Sequence, residues 1–275
     1  MMEQTHQDSK TVRRILIAVS IFFLVIMLVF PVALVLSEAI KNGWDTYIKA
    51  ITDQYTIKAL QLTITATATA VLVNTFFGLF AAWLISKFKF RGKRILTTFL
   101  DIPFAVSPVI AGLIFILTFG RIGWAYDFLA KMNVQIVFAV PGVILATIFV
   151  TLPFISREII PVMNAQKGEE EAAALMGAKG LYIFRKVTFP HIKWALLYGI
   201  ILCTARAMGE FGAVSVLSGH LRGQTNTLPL HIEILYNEFK YTQAFAVSSI
   251  LAVLAVVILI IRNIVEYKGK KESGL

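Results

Sequence analysis

Residues 15–36 read ILIAVSIFFLVIMLVFPVALVL, an unbroken run without a charged side chain. A helix rising about 1.5 Å per residue needs about 20 such residues to cross roughly 30 Å of hydrocarbon. Lys10, Arg13 and Arg14 precede the run, so a cleaved export signal competes with a permanent span. The run is longer than the ~7–15 apolar residues of a signal core, and no small-residue cleavage site closes it. It reads as a permanent span. Similar runs occupy about 60–85, 95–119, 136–156, 194–218 and 244–265.

The composition agrees: 57% of residues are hydrophobic and 15% charged, with a mean hydropathy of +0.76, outside the range of ordinary soluble domains. Backbone groups left unpaired in lipid are costly, and long apolar runs are not the alternating strands of a barrel. The sequence therefore predicts an all-α polytopic membrane protein with six transmembrane helices. Its parts are an N-terminal segment 1–14, a membrane domain 15–265 and a tail 266–275.

The net charge of +10 is distributed rather than clustered. The N-terminus, the 86–94 and 157–193 connections and the tail together hold more than twice as many Lys and Arg as the alternate connections. Positive-inside counting places both termini and the long 157–193 connection in the cytoplasm. That pattern sets topology and does not indicate a nucleic-acid partner. Cys203 is the single cysteine, which excludes an intramolecular disulfide and reads as packing. His6, His191, His220 and His231 lack ligand spacing, so no metal site is expected.

Two spans carry local features. LTITATATA at 62–70 alternates like a strand, but inside a long uncharged run the helical reading wins, and its small side chains admit a close neighbour. DIPFAVSPVIAG at 101–112 places Pro103 and Pro108 at the start of the third span, where each removes a backbone donor and predicts a kink. Such a kink either lines a polar cavity or only shapes the helix.

The cytoplasmic connection contains EEEAAALMGAKG at 169–180. Glu169, Glu170 and Glu171 suit the first turn of a short helix, at the positive end of its dipole. Gly177 suits the left-handed residue that ends it. A second segment, Leu181–Phe189, alternates apolar residues with Arg185 and Lys186 and is expected to close at Pro190. An amphipathic helix on the inner membrane surface would account for 181–189. It would not account for three glutamates beside anionic lipid, so the patch is read as a docking element for a soluble protein.

Glu171-Ala172-Ala173, then Gly177, Val187, Phe189 and Pro190, resemble the EAA loop of ATP-binding-cassette importer permeases, with valine and phenylalanine replacing the usual isoleucine and leucine. The resemblance implies a type I importer permease fold in a bacterial cytoplasmic (inner) membrane. It also implies a coupling helix seated in a dimer of cytoplasmic ATPase subunits, with Glu171, Ala172, Ala173, Gly177 and Pro190 in the coupling element. The chain has no G-x-x-x-x-G-K-[ST] phosphate loop. It is therefore not expected to be an enzyme, to hold catalytic residues or to bind a cofactor; ATP and Mg²⁺ would belong to the partner ATPase.

The fifth span contains ARAMGEFGAVSVLSG at 205–219. Arg206 and Glu210 stand four apart, and charges at this depth must be paired or face water. They read either as a neutral structural pair or as a cationic field on the translocation path with Glu210 orienting Arg206. Gly209 and Gly212 beside them allow close approach or local unwinding. Together with SGHLRGQTNTLPLHIEILYNEF at 218–239, this segment resembles the sulfate/thiosulfate permeases of the CysW type. Molybdate permeases share the arginine–glycine–glutamate stretch, which leaves molybdate or tungstate as an alternative cargo. The resemblance implies a second related permease subunit and an extracytoplasmic sulfate-binding protein as partners, besides membrane lipid. Residues 219–240, with Arg222, Asn226 and His231, either contact that binding protein or form a folded cap. An ATP-independent secondary transporter would need ionisable residues in several spans, whereas here Arg206 and Glu210 lie well inside and Asp101 near an end.

Overall fold

The computed structural model describes residues 10–273, and these contain helices and connections but no strand. The first nine residues of the 1–14 segment and the last two of the tail lie outside the described residues. In order, the helices are α1 (Val12–Ile40), α2 (Trp44–Ile51), α3 (Gln54–Lys87), α4 (Lys93–Ala105), α5 (Pro108–Phe119) and α6 (Tyr126–Lys131). They continue with α7 (Val140–Ala165), α8 (Lys167–Leu175), α9 (Gly180–Met208), α10 (Gly212–Leu217), α11 (Leu228–Asn237) and α12 (Tyr241–Ser273). Helices α1, α3, α7, α9 and α12 are long and apolar enough to cross a bilayer.

The third predicted span is not one helix. α4 and α5 meet at 110°, because Val106 turns extended (φ −96°, ψ 132°) and Pro108 can only open a new helix. The prolines predicted a kink; the structure has a break.

α3 is the central element. Asp53 caps it by accepting the backbone N–H groups of Tyr55 at 2.9 Å and Thr56 at 3.3 Å, satisfying donors that a helix start leaves open. Its small residues Ala59, Ala66 and Ala82 enter three separate buried clusters, formed with α11 and α12, with α7, α10 and α11, and with α7 and α9. A Cβ on Gly78 would lie 3.1 Å from the Ile155 side chain, and one on Gly199 3.1 Å from the Ile155 backbone. Two glycines thus let α3 and α9 close on one isoleucine of α7, the small-residue packing that membrane helices use where apolar burial drives little.

α7 carries its own irregularity. Pro153 lacks an N–H, and the Leu152 N–H tightens to the Phe149 carbonyl at 3.2 Å. The Ile148 carbonyl is thereby released and accepts Asn74 Nδ2 of α3 at 3.0 Å, while the same amide donates to Thr151 Oγ1 at 2.8 Å. Cys203 packs beside Thr151, fully buried. Asn74→Leu is expected to lower stability by about 1–3 kcal/mol by orphaning that carbonyl. Thermal unfolding in detergent, compared with Asn74→Gln, would measure it.

Prolines 31 and 190 are absorbed differently. Each follows a π-turn, Val25–Val29 and Phe184–Thr188, closed by i→i−5 bonds from Phe30 N–H to Val25 O and from Phe189 N–H to Phe184 O. The wider turn relieves the clash of the proline ring with the preceding turn. The expected stop at Pro190 is therefore absent, and the 181–189 segment runs straight into the fifth span as α9.

Candidate functional site

The connection between α7 and α9 is nearly all helix. α7 continues to Ala165 and α8 begins at Lys167, with Glu169 and Glu170 in its first turn. Gly177 adopts φ +85°; its N–H donates to Ala174 O at 3.0 Å and the Ala178 N–H to Ala173 O at 3.1 Å. This paired bonding is the Schellman closure, which places the one residue without a Cβ penalty in the left-handed position.

The three glutamates have three fates. Glu169 Oε2 lies 3.1 Å from His191 Nε2 of α9. Glu170 turns inward, pairs with Lys87 at the end of α3 and accepts Thr188 Oγ1 at 2.6 Å. Glu171 and Ala172 are exposed, while Ala173 is buried against the body. Beside this clamp, Trp83 of α3 stacks on Phe184 at 4.6 Å and 10°. The hairpin's tip is apolar and open: Leu175 is 89% exposed, Met176 82% and Leu181 79%. α8 is thus held on one face and bare at its end. Sequence reasoning named Glu171 and missed Lys87 and Thr188; the only local signal was a lysine ending an otherwise uncharged span.

The second candidate region is the break between α9 and α10. α9 stops at Met208, so Glu210 lies beyond the helix and not on its face as the spacing suggested. The pair nevertheless forms, with Arg206 Nη1 2.6 Å from Glu210 Oε2. Glu210 Oε1 accepts the Ala213 N–H at 2.9 Å, so one carboxylate closes the break from both sides. The Glu210 side chain is 1% exposed and the Arg206 side chain 33%. Gly209 and Gly212 differ: a Cβ on Gly209 meets only Ala205 O at 3.8 Å, whereas one on Gly212 would lie 2.9 Å from Pro108 Cβ. Asp101 is not in this pair; toward the C-terminal end of α4 it pairs instead with Arg157 of α7 at 2.9 Å.

The 219–240 connection is a packed cap. Arg222 pairs with Glu238, whose carboxyl is held down to about 2 by hydrogen bonds from Arg222 and Lys240. Asn226 and His231, read either as contact residues or as part of a folded cap, are buried because α11 folds back against α3. The Thr56 hydroxyl donates to Ala50 O at 3.0 Å, so His231 Nε2–H must donate to Thr56 Oγ1 across 3.2 Å. Burial lowers the His231 pKa below its ordinary value, with Arg222 and Lys240 lowering it further and Asp53 and Glu238 opposing. An unfolded cap therefore binds the proton more readily than the folded one, and stability present above about pH 6.5 is lost as pH falls. Hydrogen exchange in 225–237, corrected for intrinsic rates, is expected to quicken below that pH, and His231→Gln to flatten the dependence.

A long-helix bundle with a broken third crossing, a helical hairpin between two spans and an ion pair at a helix break defines a membrane transport component. Residues 74–270 match the family described as the inner membrane component of binding-protein-dependent transport systems, and the chain belongs to that family. It is 45% identical over 258 residues to the sulfate transport system permease protein CysW of Synechocystis, covering 94% of each chain. Against CysW of Escherichia coli K12 the identity is 42%, over 94% of this chain and 89% of that one. The permease CysT of Salmonella typhimurium is 30% identical over 93% of both. A solved bacterial ABC transporter that imports alginate contains a chain of the same fold, with a TM-score of 0.76 at 17% identity over 94% of this chain and 95% of that one.

Proposed function

We propose that this chain is one permease subunit of an ATP-driven sulfate/thiosulfate importer, with both termini cytoplasmic. A second related permease would complete the path, two copies of a separate ATPase would supply ATP hydrolysis, and an extracytoplasmic binding protein would deliver the anion. The observation that carries this reading is the 169–190 hairpin. Its exposed Leu175, Met176 and Leu181 stand at the tip of the hairpin, a shape that presents an apolar knob to a groove. Strong identity to CysW proteins and weaker identity to CysT proteins supports pairing with a different permease chain.

In this reading the ATPase pair closes on ATP and carries the hairpin with it, the paired permeases open outward to receive the anion, and hydrolysis returns them. Arg206 and Glu210, with Gly209 and Gly212, lie beside the path. Weak attraction suffices there, since tight binding would slow release.

The test is Gly177→Val. Nothing lies within 4 Å of a Cβ at this position, so the substitution acts through the φ of +85°, about 1–2 kcal/mol of left-handed strain and more for a β-branched residue. In cells lacking only this chain, wild type is expected to restore uptake of labelled sulfate. The variant should insert normally yet lose both uptake and ATPase co-purification. Normal transport by the variant would overturn the docking role, and no restoration by wild type would overturn the cargo.

A further inference from the structure

α3 has 34 residues without a proline, about 51 Å at 1.5 Å per residue, and it is tied to other elements at both ends. At its cytoplasmic end Lys87 holds Glu170 of α8, and Trp83 stacks on Phe184 of α9. At its far end Thr63 Oγ1 accepts the Leu228 N–H that opens α11, at 2.7 Å. Two turns beyond, Thr56 meets His231. Between them Asn74 is bonded to α7. The Glu170–Lys87 pair is part-buried on both sides, with side chains 13% and 17% exposed, so removing one partner is felt more than at an open surface pair.

We infer that α3 is a rod joining the cytoplasmic hairpin to the α11 cap, and that Glu170 is the positioning residue that makes the joint. The inference rests on the reading above that the hairpin docks the ATPase. A displacement of α8 acts on Lys87 through Glu170 and arrives at the first turn of α11 through Thr63. A loaded binding protein resting on the cap acts along the same rod in reverse, since coupling between two sites is reciprocal. Spatial continuity alone does not establish such a path, so the test must read coupling directly.

The complete transporter would be assembled in nanodiscs with its binding protein, and ATP hydrolysis measured with and without loaded binding protein. Glu170→Gln keeps the shape and the bond from Thr188 but loses the charge that holds Lys87. It is expected to retain ATPase co-purification and basal hydrolysis while stimulation by the binding protein falls about tenfold. Thr63→Val should give the same loss, and the Glu170→Gln, Thr63→Val double variant no more than either alone. The reversed pair Lys87→Glu, Glu170→Lys should recover stimulation. Full stimulation in Glu170→Gln, or losses from the two ends that multiply, would overturn the rod. Loss of basal hydrolysis and assembly in Glu170→Gln would overturn it too, making Glu170 a structural residue. Failure of the wild-type chain to recruit an ATPase would instead overturn the docking reading, and the inference with it.

Discussion

Arg206→Ala is expected to destabilise the folded chain by about 3–5 kcal/mol, because it strands a carboxylate inside the membrane. Glu210 is 1% exposed and its two oxygens are committed, one to Arg206 and one to the Ala213 N–H. Without the guanidinium it must be protonated or drag water into the α9–α10 break, and the break loses its closure. Removing both members relieves the stranded charge. Arg206→Ala, Glu210→Ala should therefore recover most of that stability, less about 1 kcal/mol for the Ala213 donor. Thermal unfolding in detergent reads these terms. Transport reads something else: the Arg206 side chain keeps a third of its surface open, and a cation beside the path would attract an anion as it passes. The correctly assembled double variant is expected to be stable and slow, with uptake reduced more in rate than in apparent affinity. An unchanged rate would reduce the pair to a structural one.

The spans were legible because their signal is long and local: twenty or so apolar residues cannot be hidden by tertiary context. What resisted reading depended on neighbours. Pro103 and Pro108 marked the third crossing as irregular, and Val106 and Pro108 break it, but α10, which packs on α5 beside the 110° bend, is distant in sequence and could not be read from 101–112. Pro190 signalled a helix stop, yet a π-turn ahead of it kept the helix going. Glu169, Glu170 and Glu171 are chemically identical in sequence, and only the rotation of α8 against α3 sends one inward to Lys87, 83 residues away. For Asn226 and His231 the sequence left a contact role and a folded cap open; α11 buries them by folding against α3. At the 169–190 hairpin the left-handed glycine was readable from its position after an alanine run, since that geometry is local.

The glycines at 209 and 212, three residues apart and similar in sequence, should respond oppositely to one added methyl group. At Gly209 a Cβ meets only the Ala205 carbonyl at an ordinary 3.8 Å, and the φ of −93° suits any residue, so Gly209→Ala is expected to be neutral in stability and uptake. At Gly212 the Cβ would lie 2.9 Å from the Pro108 ring carbon. That ring cannot rotate away, so an added methyl group fits only if the two helices move apart; one turn on, Gly112 likewise lets the Ala213 carbonyl come within 2.8 Å of where its own Cβ would be. Two glycines on facing helices thus set how closely α5 and α10 cross, and overpacking such a contact costs typically about 1–3 kcal/mol. Here the strain should do more than lower stability. α10 begins where Glu210 ends the break, so pushing it off α5 also pulls Ala213 from the carboxylate. Gly212→Ala is expected to lower the unfolding temperature and reduce uptake at least about tenfold, and Gly112→Ala to reproduce both. If Gly212→Ala transports as well as Gly209→Ala, the α5–α10 crossing is slack and the broken third helix does not position the ion pair.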